Sequence, residues 1–246
     1  MIDFSPVIEN MPRLVGGFWL TLQLTVLSLG CGLALAIPLA LFRASRNPLL
    51  WMPAYGYIFF LRGTPLLIQI YLVYYGIGQI EWIKSTFLWA FFVKAYWCAL
   101  LAFSLNTAAY TAEILRGAIQ SVPHGEVEAG RACGMSGFLL FRRIILPRAV
   151  RLILPAYSNE VVLMLQVTSL ASVVTLQDLT GVARILNAQY LEPFGFFIFI
   201  GLVYLASTYV IVGLFRLLER RLGRHLLDRP QGRAALRRAG QPSPIA

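Results

Sequence analysis

Residues 14–42 form a run of 29 residues without a charged side chain, bounded by Arg13 and Arg43. About 20 apolar residues are enough for a helix to cross a lipid bilayer. The run is longer than the apolar part of a secretory signal peptide, and Asp3 and Glu9 precede it in place of a basic stretch. We therefore predict a membrane-spanning helix that the mature protein keeps.

The composition of the whole chain supports this interpretation. Hydrophobic residues make up 58% of the 246 residues, charged residues make up 13%, and the mean hydropathy is +0.70. Soluble domains average about 45–50% apolar and about 25% charged residues. The sequence therefore fits neither an ordinary soluble enzyme nor a disordered chain, and we expect an integral membrane protein.

Four more apolar segments follow the first. Arg62, Gly63, Thr64 and Pro65 interrupt the second of them, and the fourth of the five segments contains Glu160. The pattern predicts an all-α membrane protein with five transmembrane helices. The four later segments are residues 49–80, 95–112, 152–176 and 194–215.

Basic residues are distributed unevenly along this pattern. Of the 21 Lys and Arg residues, 16 are arginines in the turn after the first span, in residues 113–151 or after the fifth span. Because Lys and Arg collect on the cytoplasmic side of a membrane, we expect the C-terminus inside. The N-terminus and a polar loop at residues 177–193 are then outside.

The end of the chain differs from the rest. We expect a transmembrane domain over residues 1–229 and a disordered tail over residues 230–246, which are rich in Pro, Gly, Ala and Arg. We interpret the arginines of the tail as determinants of membrane topology and as contacts for anionic lipid, and not as a nucleic-acid site. We therefore expect membrane lipid, and no nucleic acid, as a partner.

The sequence lacks the motifs of several catalytic and metal sites. Neither Lys84 nor Lys94 follows a glycine, so there is no phosphate-binding P-loop for ATP. His124 and His225 are isolated, and no two cysteines have the spacing of zinc ligands. We expect no metal site, no bound cofactor and no covalent catalysis, and we interpret the chain as a transport protein.

The longest polar segment, residues 121–147, has the signals of two short helices. Ser121 begins a Ser-Val-Pro sequence that is typical of a helix start, and Gly134 is typical of a helix end. Ser136 is placed to cap a second helix, which Pro147 is expected to stop. A pair of short helices between two membrane spans suits docking to another protein.

The same segment resembles the EAA loop of ABC importer permeases. That loop has the pattern Glu-Ala-Ala, three residues, Gly, nine residues, Ile-x-Leu-Pro. Only Gly130 departs from it, where Ala is usual, and the residue remains small. The resemblance implies that this loop couples the membrane helices to an ATP-binding subunit. The matching residues are Glu128, Ala129, Gly130, Gly134, Ile144, Leu146 and Pro147.

Other stretches are similar to the polar amino-acid uptake branch of this family. Residues 60–65, Phe-Leu-Arg-Gly-Thr-Pro, resemble its Phe-Arg-Gly-Thr-Pro signature, and residues 109–119 and 156–160 also match. The resemblance extends over almost the whole chain. It is strongest to the M-type permeases of histidine and lysine/arginine/ornithine importers and of opine importers. It implies a type I ABC importer permease fold and a place in the bacterial inner membrane.

The resemblance also implies partners. An ATP-binding subunit dimer would hold ATP and Mg²⁺, and a periplasmic solute-binding protein would deliver the ligand. A second permease, either a Q-type homologue or another copy of this chain, would complete the membrane part. The implied substrates are polar amino acids, with basic ones such as histidine, lysine, arginine and ornithine favoured, or opines.

Two ionisable residues, Arg62 and Glu160, lie inside predicted spans. Such residues are costly in a membrane and usually face a cavity or a partner. Since Gly63 and Pro65 follow Arg62, we expect a broken helix of the kind that transporters use to bind ligands. Arg62 would then meet the carboxylate of an amino acid, and Glu160 its amine or a cationic side chain. In the alternative, both residues are structural and pair with each other or with backbone.

Gln166 lies at a position where many relatives have a basic residue before Thr-Ser-Leu. Removing a positive charge there would ease the passage of a cation. Alternatively, Gln166 only forms a hydrogen bond across helices. The candidate substrate pathway consists of Arg62, Gly63, Thr64, Pro65, Asn159, Glu160, Gln166, Thr168 and Ser169.

Other functions stay open at the level of the sequence. A permease for another polar amino acid, such as glutamine, would share these motifs. An ion-driven secondary transporter would be expected to have an internal repeat and more intramembrane acids, and the sequence has neither. A membrane scaffold would have no reason for the complete EAA spacing. Glu113 and Arg116, three residues apart, are expected to pair in any of these cases.

Overall fold

A computed structural model describes residues 4–227, with side chains as far as residue 222. The expected tail, residues 230–246, lies outside this part of the chain. The described part is helical and has no strand. Its α-helices are α1 (Ser5–Glu9), α2 (Met11–Ala44), α3 (Pro48–Gly63), α4 (Leu66–Tyr71), α5 (Glu81–Lys84), α6 (Trp89–Phe92), α7 (Ala95–Gln120), α8 (His124–Ala132), α9 (Gly137–Leu140), α10 (Leu146–Val167), α11 (Leu179–Tyr190) and α12 (Pro193–Leu227).

The helices provide the predicted membrane spans. Three of the described helices, α2, α7 and α12, are each long and apolar enough to cross a bilayer. Residues 48–76 form a bent pair of helices with an angle of 105°, and residues 137–190 form another with an angle of 50°. Counting each bent pair as one span gives five, in agreement with the sequence.

Helix α7 lies at the centre of the structure. In its most apolar stretch 61% of the residues are buried, against 33% in α2 and 6% in α12. It packs against α2, α3, α4 and α10, and Tyr57 of α3 donates a hydrogen bond to its Leu105 carbonyl oxygen at 2.8 Å. Helix α12 is peripheral and packs mainly on α10 and α11.

Small side chains let α2 approach α7 closely. A Cβ atom on Gly32 of α2 would lie 3.2 Å from the carbonyl oxygen of Ser104 and would overlap the methyl group of Thr107. Within lipid, helices associate mainly through close packing of this kind. The fully buried alanines of α7 are Ala99, Ala102, Ala108, Ala109 and Ala112.

Most of the stretch expected to be a polar loop, residues 177–193, forms helix α11 (Leu179–Tyr190), so this expectation was wrong. Asp178 caps α11, because its two carboxylate oxygens accept hydrogen bonds from the backbone of Thr180 and Gly181, both at 3.1 Å. Leu179, Val182, Ala183 and Leu186 are buried at the i, i+3, i+4, i+7 spacing of a helix face. Leu191, with a φ of 54°, ends the helix. A glycine at this position would have indicated the helix end in the sequence.

Two boundaries around residues 121–147 also differ from expectation. The third span continues as α7 to Gln120, and Ser121 closes it by donating its hydroxyl to the Gly117 carbonyl oxygen at 2.7 Å. Pro147 does not stop the second short helix. A π-helical segment, Phe141–Ile145, leads directly into α10. Pro147 lies in the first turn of α10. Proline is tolerated there because first-turn N–H groups have no partner within the helix.

We predict that Gly32→Ala lowers the melting temperature of the purified protein in detergent. The new methyl group has no space between α2 and α7, and overpacking of this kind costs about 1–3 kcal/mol.

Gly30→Ala is the matched control, since nothing lies within 4 Å of a Cβ atom at Gly30. This variant should melt at the wild-type temperature or slightly above it, because Ala is the better helix former. The same melting temperature for both variants would contradict the close contact of α2 with α7.

Candidate functional site

The second span is broken where the sequence predicts. Thr64 and Pro65 have extended backbone angles between α3 and α4. A proline has no N–H group to donate and disfavours helical geometry in the residue before it. The chain therefore leaves the helix at Thr64 and turns through 105° before the next helix.

Two buried amides hold the break. The Nε2 atom of Gln69 donates hydrogen bonds to the Leu61 carbonyl oxygen and to the Thr64 hydroxyl, both at 2.8 Å. Asn106 of α7 donates to Oε1 of Gln69 at 3.0 Å. Exposed backbone carbonyls inside a membrane need such partners, because no water is available in the hydrocarbon region. Neither residue was predicted from the sequence, although an amide within an apolar span is itself a signal.

A cavity of about 440 Å³ opens beside the break, and we call it the Glu160 cavity. Ligand sites generally have volumes of about 300–1,000 Å³. The cavity brings together five of the predicted pathway residues, which come from α3, the break and α10. These are Arg62, Gly63, Thr64, Pro65 and Glu160, and Asn106 and Tyr110 of α7 also line the cavity.

The two ionisable residues of the cavity are held differently. Glu160 is only 7% exposed, and its Oε1 atom accepts a hydrogen bond from the Thr107 hydroxyl at 2.7 Å. Arg62 is exposed, and its guanidinium carbon lies 5.0 Å from the ring centroid of Tyr110. Among the described residues no ion pair joins Arg62 to Glu160. The alternative in which the two pair directly is therefore not the observed arrangement.

The remaining predicted pathway residues do not converge on this cavity. Gln166 and Ser169 line a separate cavity of about 530 Å³ next to Tyr204 of α12. Thr168 is buried, and its hydroxyl donates to the Leu165 carbonyl oxygen at 2.6 Å. Asn159 is exposed and lines neither cavity.

A tight turn joins the two short helices of residues 121–147. Gly134 has a φ of +75°, a conformation that favours glycine. The Met135 N–H donates to the Gly130 carbonyl oxygen at 3.1 Å, and the Gly134 N–H donates to that of Arg131 at 2.9 Å. This pair of bonds is the Schellman arrangement that ends many helices. Ser136 caps α9 through a 3.5 Å hydrogen bond from the Leu139 N–H, as predicted.

Helix α8 is anchored to the base of α10. Arg148 donates its Nε to Glu126 Oε2 at 2.9 Å and its Nη2 to Glu126 Oε1. A Cβ atom on Gly130 would lie 2.5 Å from Cδ1 of Leu140 and 2.7 Å from Cδ1 of Ile144, so an alanine there would require the ends of these two side chains to shift.

The residues of the EAA-like pattern fall into two groups in the structure. One group lines a cavity of about 490 Å³ between α8 and α10: Ala129, Gly130, Ile144 and Pro147. The other consists of exposed residues outside that cavity: Glu128, Gly134 and Leu146. The second group gives the segment an outward face that is open to a partner.

The predicted pair at the end of α7 is present. Arg116 and Glu113 form a salt bridge at 2.7 Å, and Arg43 of α2 approaches Glu113 at 3.7 Å.

Within residues 4–227 no group of three His, Cys, Asp or Glu side chains could hold a metal ion.

The chain is similar to two bacterial permease proteins over most of its length. It is 50% identical over 220 residues to the octopine transport system permease protein OccM of Rhizobium meliloti, covering 89% of this chain and 90% of OccM. It is 47% identical over 211 residues to the histidine/lysine/arginine/ornithine transport system permease protein HisM of Escherichia coli strain K12, covering 85% of this chain and 89% of HisM.

The fold is shared with a chain in the crystal structure of an amino acid ABC transporter with histidines. The TM-score is 0.81 at 33% sequence identity, and the match covers 90% of this chain and 99% of the other. Residues 32–224 match the family of binding-protein-dependent transport system inner membrane components. The predicted resemblance to ABC importer permeases is thus confirmed, and the chain belongs to the family of binding-protein-dependent transport system inner membrane components.

Proposed function

We propose that this chain is the permease through which an ATP-driven importer moves cationic amino acids or opines into a bacterial cell. Members of its family work with ATP-binding subunits and binding proteins. The names of OccM and HisM, an octopine permease and a histidine/lysine/arginine/ornithine permease, support the substrate class. The observation that carries the proposal is that Arg62 and Glu160 line one cavity beside a broken helix.

The cavity offers both charges that such a substrate needs. Arg62 binds the α-carboxylate, because a guanidinium fits a carboxylate with two parallel hydrogen bonds. Glu160, which already accepts one hydrogen bond from Thr107, binds the amine or the cationic side chain. The Gln69 amide and the Nδ2 atom of Asn106 are occupied by backbone and by each other, so these groups contribute little to recognition.

The segment around α8 couples this cavity to the hydrolysis of ATP. The exposed Glu128 and Gly134 lie on the surface that meets the ATP-binding subunit, which holds ATP and Mg²⁺, while the buried Gly130 lets α8 pack closely against Leu140 and Ile144. Because Arg148 ties α8 to α10, a movement of α8 is transmitted to the helix that carries Glu160. A second permease, of the Q type or a second copy, completes the membrane part.

Reconstitution in proteoliposomes tests the proposal. The chain is combined with its ATP-binding subunit, second permease and binding protein, and is offered labelled arginine, histidine, octopine and glutamine. Uptake should need ATP and should favour arginine, histidine or octopine. Uptake of glutamine alone would contradict the substrate class, and uptake independent of ATP would contradict the importer.

We predict that Glu160→Gln reduces the uptake of arginine about tenfold or more, which corresponds to the loss of a hydrogen bond to a charged group. The variant keeps the size of the side chain and a partner for Thr107 but removes the negative charge. Uptake of a neutral amino acid by the same proteoliposomes is the internal control and should fall less. An equal loss for both substrates would assign Glu160 a structural role.

We predict that Gly134→Val uncouples ATP hydrolysis from uptake while the protein still inserts into the membrane. A β-branched residue at a φ of +75° is strained by roughly 1–3 kcal/mol, so the turn after α8 changes. Gly137→Val is the matched control, since Gly137 has no positive φ and nothing within 4 Å of its Cβ position. Normal coupling in Gly134→Val would argue against the docking role.

We also predict that a cysteine at position 188, on the exposed side of α11, reacts with an impermeant maleimide in intact cells. Cys133 should react only after the membrane is opened, because the proposed topology places it in the cytoplasm. Each cysteine is tested alone in a chain without the other native cysteines. The reverse pattern would overturn the topology.

A further inference from the structure

A second cavity lies directly beside the Glu160 cavity. It has a volume of about 350 Å³, and we call it the Glu113 cavity. Arg62, Gly63 and Tyr110 line both cavities. These three residues therefore form the shared boundary, or partition, between the two cavities. The other residues of the Glu113 cavity are Arg43, Tyr55, Ile58, Phe59 and Glu113.

The two cavities follow one face of α7. Asn106, Tyr110 and Glu113 are spaced at i, i+4 and i+7, so they lie on the same side of the helix. Asn106 lines the first cavity, Tyr110 lines both and Glu113 lines the second. The Glu113 cavity is thus closer to Gln120, the last residue of α7, which the proposed topology places at the cytoplasmic side.

The partition is made by a weakly held side chain. The guanidinium of Arg62 lies over the ring of Tyr110, at 5.0 Å from the centroid. Within the described part of the chain, no hydrogen bond or ion pair holds that guanidinium. By contrast, Arg116 is held on Glu113 by hydrogen bonds at 2.7, 3.0 and 3.1 Å. Nothing lies within 4 Å of a Cβ position at Gly63, so there is space next to Arg62.

The charges around the Glu113 cavity differ from those of the Glu160 cavity. Glu113 already pairs with Arg116 and lies 3.7 Å from Arg43. Two guanidinium groups therefore face this carboxylate, and Arg62 adds a further positive charge to the lining of the same cavity. Such a cavity attracts the carboxylate end of an amino acid and does not retain a cationic side chain. It suits release rather than tight binding.

We propose that Arg62, stacked on Tyr110, is a movable gate between these cavities, and that the Glu113 cavity is an exit site for the departing amino acid. The α-carboxylate stays with Arg62 as that side chain swings from one cavity into the other. The cationic end then leaves Glu160 for a cavity that does not hold it. The identity of the ligand rests on the proposed function, whereas the gate rests on the geometry alone.

Cysteine accessibility tests the gate without any substrate. The assembled transporter is placed in inside-out vesicles, with Cys31, Cys98 and Cys133 replaced by Ala. Leu163→Cys reports on the Glu160 cavity and Phe59→Cys on the Glu113 cavity. Two impermeant methanethiosulfonate reagents are compared, one cationic and one anionic.

We expect Phe59→Cys, at the more exposed position (68% against 44%), to react quickly and Leu163→Cys more slowly while Arg62 is present. Arg62→Ala should raise the rate at Leu163→Cys about two- to fivefold for both reagents, as the loss of a solvent-exposed cation–π contact implies. Tyr110→Ala should have the same effect, whereas Tyr110→Phe, which keeps the ring, should not. These two variants keep the test decisive if Arg62→Ala fails to fold.

Three results would overturn the gate. The rate at Leu163→Cys could be the same with and without Arg62, which would mean that the cavities are not separated. The cationic reagent could react faster and the anionic one more slowly, which would reveal only a change in the local field. Phe59→Cys could fail to react from this side, which would remove the exit. None of these measurements uses a substrate, so the test of the gate remains valid even if the proposed substrate class is wrong.

Discussion

The rest of the structure depends on how the backbone is hydrogen-bonded where the second span breaks. A helix that opens inside a bilayer exposes carbonyl groups that no water can reach. Gln69 provides the donors for Leu61 and Thr64, and Asn106 connects Gln69 to α7. This network ties the break to the most deeply buried helix. The cavity beside the break exists because these amides keep the two half-helices apart at a defined angle.

Features that follow from local composition could be read from the sequence. The length of residues 14–42, the break at Pro65 and the EAA-like spacing all correspond to observed elements. Residues 177–193 were misinterpreted because their polar side chains hide a buried face, and because the helix ends at Leu191 without a glycine. The continuation through Pro147 could not be foreseen, since a π-helical segment depends on packing more than on residue type.

The candidate site was predicted in part for a similar reason. Arg62 and Glu160 are conspicuous because a charge in a membrane is costly, and they do share a cavity. Gln166 lies six residues after Glu160, which places it on a different face of α10. The residues that share the face of Glu160 are Leu163, Met164 and Val167, and all three line its cavity. Helical spacing alone therefore separates the two groups, whereas the contribution of Asn106 depends on tertiary packing.

The buried amides stabilise the fold, whereas other residues of the cavity are available to recognise the solute. Gln69 and Asn106 form hydrogen bonds within the protein itself. A change at either position would therefore affect the stability of the fold more than the selectivity for the solute. Tyr110 and Leu163 line the cavity without taking part in that network. A change at Leu163 can thus adapt the cavity to a new solute while the scaffold stays intact, whereas Tyr110 is constrained by its contact with Arg62. One fold can in this way serve transporters with different substrates.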